Sequence, residues 1–167
     1  FEALLRLSRI ESGAGREAFK PVNLQDLVET VAETYGPVVA DAGQSLDLEI
    51  TEPAEVDGDR DMLVQALANL VQNALRYGAA GQAVVLRVHG PRVSVIDQGP
   101  GIPLEEREKV LQPLYQGEAT RQGEGFGLGL SLVRAIAELH GADLSLSDGR
   151  QGKCLTVTMR FPQLTDL

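Results

Sequence analysis

The chain has 167 residues, 43% of them hydrophobic, enough for one domain with a real core and too few for two independent ones. Lysine and arginine total 15 against 24 acidic residues, so the formal charge of −9 argues against nucleic acid or an anionic membrane as the main partner. The single cysteine, Cys154, excludes an internal disulfide and fits a reducing compartment, and no apolar run has membrane-spanning length.

The chain opens on Phe1, not Met, and reads as an excised piece of something longer. Phe1 to Ser12 places Phe1, Leu4, Leu5 and Ser8 at helical spacing and stops at Gly13, so it reads as the tail of a helix. Gly13 to Pro21 is a connector. Asn23 then caps a predicted helix through Leu24, Leu27, Val28 and Val31 to about Ala42, with Gly36-Pro37 expected to bend or restart it. Ser45 to Ile50 alternates as a half-buried strand does, and Asp57-Gly58-Asp59 reads as a turn that caps the next helix.

That helix, Met62 to Gly78, organises the chain. Leu63, Leu67, Leu70, Val71 and Ala74 share its apolar face. Asn69 and Asn73, with Arg76 and Tyr77 a turn further on, form a polar stripe along the border of that face. By themselves these asparagines fit two roles equally: bonding neighbouring backbone or water, or meeting an oxygen-rich ligand.

Ala83 to Val88 and Arg92 to Ile96 read as a hairpin joined at His89-Gly90-Pro91, and the second strand runs straight into Asp97-Gln98-Gly99-Pro100-Gly101. Asp-x-Gly is common turn chemistry, yet here it also lets backbone pass close to a ligand while one carboxylate points at it. Pro103 opens a short charged helix, and Gln112 to Phe126 lacks a sustained period and has the composition of a mobile loop. Gly123, Gly125, Gly127 and Gly129 then alternate into a helix ending at His140-Gly141, an arrangement whose unencumbered amides suit a phosphate. His140 is better read as a helix-end residue than as a ligand. Two last strands, Asp143 to Ser147 and Cys154 to Phe161, flank a turn, with Cys154 a small core residue. The predicted class is α+β, a two-layer α/β sandwich with a mixed, mostly antiparallel sheet and helices on one face.

Together these stretches resemble the ATP-binding, catalytic domain of bacterial sensor histidine kinases, within the Bergerat-fold (GHKL) group of gyrase, mismatch-repair and heat-shock ATPases. Asp59 to Gly78 is similar to that family's asparagine box, Asp97 to Ile102 to its first glycine box, Gln112 to Tyr115 to its phenylalanine box, and Gly123 to Val133 to its second glycine box. Leu7 to Gly13 resembles the end of the dimerisation and phosphotransfer domain, which implies residues 1–12 as its last helix, 13–22 as linker and 23–167 as the catalytic domain.

The resemblance implies roles by position. Asp97 accepts from the adenine amino group, with Gly99, Gly101 and Ile102 close to the base. Asn73 gives an oxygen to magnesium. Asn69, Arg76 and Tyr77 line the phosphate and ribose side, and Gly125, Phe126, Gly127, Leu128, Gly129 and Leu130 hold the phosphates. Arg121 is the candidate for the γ-phosphate, so Asn69, Asn73 and Arg121 form the implied catalytic set. Hydrolytic relatives carry a glutamate base four positions before the magnesium asparagine, and here that position is Asn69, which cannot take a proton from water. Leu111, Leu114 and Gln116 depart from the phenylalanine-box pattern, which keeps a nucleotide-holding pseudokinase as the alternative to a kinase. The implied cofactors are ATP and Mg. The implied partners are a histidine-bearing dimerisation domain of the same protein and, through it, a response regulator, with no nucleic acid and a homodimeric parent. The domain is expected in the cytoplasm and its parent in the inner membrane. His89 and His140 match no phosphoacceptor box.

Overall fold

A computed structural model describes residues 18–77, 80–98, 129–148 and 155–162. A short strand β1 (Lys20–Asn23) leads directly into α1 (Leu24–Asp41), and β2 (Ser45–Glu52) and β3 (Glu55–Gly58) follow. Next come α2 (Arg60–Tyr77) and the hairpin of β4 (Ala83–His89) and β5 (Arg92–Ile96). After these come α3 (Gly129–Leu139), β6 (Asp143–Asp148) and β7 (Leu155–Arg160).

The main sheet runs in the order β2-β4-β5-β7-β6, with β2 and β4 parallel and the other neighbours antiparallel. Parallel neighbours need a crossover, and β3 with α2 supplies it. Side-chain alternation along each strand divides the sheet into two faces. One cross-strand row is apolar: Leu48, Leu86, Val95, Val157 and Leu146. The adjoining row, on the other face, is polar: Glu49, Arg87, Ser94, Thr158 and Ser145, closed by Arg87 to Glu49 at 3.1 Å and Ser94 to Thr158 at 2.8 Å. The apolar face belongs to the core shared with the helices, where Leu27, Leu67, Leu86, Leu132 and Ile136 are almost wholly buried. Each such side chain stabilises the fold by about 1.5–3 kcal/mol relative to exposure. The expected two-layer architecture is thus the observed one.

Asn23 caps α1 as its sequence predicts, its side chain accepting from Asp26 N at 3.1 Å. Gly36-Pro37 does not restart the helix, which runs unbroken over 18 residues with Pro37 inside it. Pro37 is exposed while Val39, two residues on, is buried, so the carbonyl it leaves unpaired faces the wet side and the buried side keeps the helix in place.

Asp57 and Gly58 likewise belong to a strand, not to a turn. β3 pairs antiparallel with β1 in a small second sheet, with Val22 opposite Val56. That pairing draws Lys20 and Pro21, at the end of the expected connector, onto the domain. Asp59 alone caps α2, its Oδ1 accepting from Asp61 N at 3.0 Å and Met62 N at 3.3 Å.

Candidate functional site

α2 carries the two asparagines on its border. Leu63, Ala66, Leu67, Leu70, Val71 and Ala74 are buried, whereas Asn69 and Asn73 are half-buried and Gln72 and Arg76 exposed. Asn69 Oδ1 accepts from Gln65 Nε2 at 2.9 Å, one turn back on the same face. Asn73 has no side-chain hydrogen bond to another described residue. Asp61 in the first turn and Arg76 in the last complement the helix dipole.

Asp97 directly follows β5 and is 8% exposed, a carboxylate at the end of a strand that the core would otherwise reject. Its backbone N–H donates to Leu155 O at 3.0 Å, and Leu155 N–H donates back to Asp97 Oδ1 at 3.4 Å. β7 thereby fixes both the strand end and one carboxylate oxygen.

These two elements are joined by a residue that the sequence does not mark as functional. Gln82, 2% exposed, donates from Nε2 to Ala74 O at 2.7 Å and to Gln44 Oε1 at 2.7 Å. Its Oε1 accepts the Gln98 backbone N–H at 2.7 Å. Ala74 follows Asn73 and Gln98 follows Asp97, so a single carboxamide ties the asparagine helix to the aspartate loop. Sequence periodicity could not find it, because Gln82 lies between a turn and a strand, where a polar residue is ordinary.

The third contributor is α3, which packs against α2. Its far end is held at the start of α2, where His140 Nε2 accepts the Asp59 backbone N–H at 3.0 Å. α3 is 11 residues long and begins at Gly129 and half-buried Leu130. The structure thus ties the helix of Asn69 and Asn73 to the Asp97–Gln98 step through Gln82, and packs α3, which starts at Gly129 and Leu130, against that helix. Arg76 and the backbone of Tyr77 complete the last turn of α2. Gly99, Gly101, Ile102, Arg121, Gly125, Phe126, Gly127 and Leu128 lie outside the described residues, as do the short charged helix, the loop at 112–126 and Cys154. His89, by contrast, sits on the hairpin's far end, bonded to Thr51 Oγ1 at 2.8 Å.

A half-buried asparagine stripe and a buried carboxylate at a strand end suit a ligand with phosphate oxygens at one end and a hydrogen-bond donor at the other. Among the described residues no group of three or more His, Cys, Asp or Glu could hold a metal by itself. This donor set fits a hard cation that keeps water and phosphate as its main ligands, the usual habit of magnesium.

Such a fold and site define a nucleotide-binding domain in which an open-faced sheet is covered on one side by helices. The sequence pattern of the family described as "Histidine kinase-, DNA gyrase B-, and HSP90-like ATPase" matches residues 58–164, and the chain belongs to that family. It therefore carries the family's ATP-binding domain. The sensor protein kinase PmrB of Pseudomonas aeruginosa is 39% identical over 166 residues, covering 97% of this chain and 35% of its own length. A mycobacterial sensor histidine kinase, MprB, superposes with a TM-score of 0.76 at 26% identity, over 86% of this chain and 97% of that one. Full-length ShkA in complex with AMPPNP superposes with a TM-score of 0.75 at 27% identity, over 96% of this chain and 34% of that one. The chain spans about a third of the length of PmrB. No described helix is long and apolar enough to cross a membrane.

Proposed function

We propose that this chain is the ATP-binding catalytic part of a two-component sensor histidine kinase, which donates the γ-phosphoryl of Mg-ATP to a histidine on an adjacent dimerisation domain. The observation that carries this reading is the buried Asp97 held, through Gln82, beside the asparagine helix. A buried carboxylate accepts from the exocyclic amine of adenine, whereas guanine presents a carbonyl at that edge. The relatives named as sensor kinases, and the AMPPNP in the ShkA structure, support the same reading.

In this assignment Asn73 gives its carboxamide oxygen to magnesium, while Asn69, Arg76 and Tyr77 line the phosphate and ribose side. Gly99, Gly101 and Ile102 lie by the base. The amides and side chains from Gly125 to Leu130 hold the phosphates, and Arg121 meets the γ-phosphate. Magnesium would neutralise the developing charge on the phosphates; the protein's own share is to orient them and exclude water. The γ-phosphorus bond to the β,γ-bridging oxygen breaks as a bond to the acceptor imidazole nitrogen forms, and ADP leaves. Residues 1–12 are the end of the acceptor domain's helix, 13–22 the linker, whose last three residues join the catalytic domain through β1, and 23–167 the rest of that domain. The whole protein is a homodimer in the inner membrane, with this domain on the cytoplasmic side and a response regulator downstream.

The test is radiolabelled ATP with the chain alone, with a separately supplied histidine-bearing dimerisation domain, and with Asn73→Ala. Label should appear only on the supplied domain, depend on its concentration because the two are separate chains, and vanish with Asn73→Ala. Acid-labile label on this chain alone overturns the acceptor assignment. Tight ATP binding without transfer to a cognate acceptor identifies a nucleotide-holding pseudokinase instead.

A further inference from the structure

We propose that Gln82 is a positioning residue for nucleotide recognition, setting the Asp97 carboxylate at its height against the asparagine helix and so governing adenine selectivity. The inference rests on the reading of Asp97 as the adenine acceptor and deepens it.

Three groups converge on the Gln82 carboxamide, each at 2.7 Å: Ala74 O, Gln44 Oε1 and the Gln98 backbone N–H. The amide orientation follows from the partners, since a flip would set oxygen against the Ala74 carbonyl and NH2 against the Gln98 N–H. Only a carboxamide both donates twice and accepts. A glutamate cannot donate, and an asparagine is one methylene short of groups already at the close end of the hydrogen-bond range. Gln44 extends the clamp, donating to Leu75 O at 3.4 Å, so two consecutive carbonyls of the last turn of α2 are engaged.

The placement of the partners separates this role from ordinary stabilisation of the hairpin. Gln98 N–H belongs to the Asp97–Gln98 peptide, whose plane fixes the direction in which the Asp97 side chain leaves the backbone. On its other side Asp97 is fixed by Leu155. Removing Gln82 frees an anchor of the Asp97–Gln98 peptide and touches no side-chain bond of the asparagines. Its effect should therefore act through Asp97 and cannot exceed the loss caused by neutralising Asp97.

The experiment is titration calorimetry of Mg-ATP and Mg-GTP with wild type, Gln82→Met, Gln82→Glu, Asp97→Asn and the double variant Gln82→Met with Asp97→Asn, alongside thermal unfolding. Gln82→Met should weaken ATP by about tenfold, within the tenfold to hundredfold ceiling of losing a charge-assisted bond, while leaving GTP within about twofold. In the Asp97→Asn background the same change should cost less than about threefold, because coupled sites are not additive. Gln82→Glu keeps the acceptor for Gln98 N–H, so it should retain more ATP preference than Gln82→Met even if it unfolds at a lower temperature. Should Gln82→Met not fold, this Glu comparison with wild type decides the matter alone: a preference lost in full overturns the proposal. Equal weakening of ATP and GTP, or additive losses in the double variant, also overturn it. Wild type without ATP preference overturns the reading of Asp97 itself, whereas a wild-type preference that Gln82→Met leaves intact overturns only this inference.

Discussion

His140 Nε2 accepts the backbone N–H of Asp59 at 3.0 Å, joining the residue that follows α3 to the residue that caps α2. Its Nδ1 lies 2.7 Å from Ile136 O, so the proton sits on Nδ1 and the ring is neutral. The ring stacks on Phe19 with centroids 4.5 Å apart and meets Phe161 edge-on at 6.3 Å. It also fills the space beside Gly58, where an added Cβ would come within 2.6 Å of His140 Cδ2. His140→Ala leaves a part-buried N–H without its acceptor and a cavity in place of the buried ring, and should cost about 2–4 kcal/mol. Gly58→Ala alone should also destabilise, by about 1–3 kcal/mol through overpacking. Together they should cost less than their sum, since the missing ring makes room for the new methyl. Denaturant unfolding of the three variants checks this, and strict additivity would refute it.

Asp97→Asn keeps an oxygen for Leu155 N–H and replaces the other with an NH2 group, so it should spare the fold. ATP affinity should fall by about tenfold to a hundredfold, and the preference over GTP should shrink with it. Calorimetry showing equal wild-type affinity for the two nucleotides would remove Asp97 from the base site.

Hydrolysis of ATP by the chain alone should be very slow. The position of the hydrolytic base holds Asn69, whose oxygen already accepts from Gln65 and whose amide cannot take a proton. Turnover at ordinary enzyme rates, on the order of 10 per second, would contradict this. Asn69→Glu should raise the rate only if the new carboxylate leaves the proposed Mg-ATP site intact, which a paired measurement of ATP affinity would reveal.

Two glycines flanking the end of α1 should respond in opposite directions to alanine. Gly36 lies within the helix, has no atom within 4 Å of an added Cβ and no positive φ, so Gly36→Ala should stabilise by about 0.5–1 kcal/mol. Gly43 has equal space but a φ of +76°, and Gly43→Ala should destabilise by about 1 kcal/mol. Equal shifts in midpoint denaturant concentration would show that space, not backbone conformation, governs both sites.

The amphipathic run from Leu63 to Ala74, the alternation of Ala83 to Ile96 and the Asn23 cap were legible because each is a local pattern, whose period or offset is carried by neighbouring residues. The asparagine stripe and Asp97 were legible for the same reason, as polar groups interrupting or ending an apolar pattern. Hence the sequence by itself determined the layered architecture and the chemical identity of the groups at its open end. Tertiary structure decided how those groups face one another. Gln82 lies eight residues beyond Ala74 and sixteen before Gln98, but α2 ends between the first pair and the β4–β5 hairpin lies between the second, so no single helix or strand period relates them and nothing local marks Gln82 as the clamp. His140 reaches Asp59 across 81 positions, and β1 reaches β3 only after α1 and β2 have intervened. Pro37 shows the converse: its local rule allowed a restart of the helix, yet α1 runs on past it to the buried Val39. Long-range pairings of this kind depend on the whole chain having closed, because a buried donor acquires its partner only when distant elements pack together.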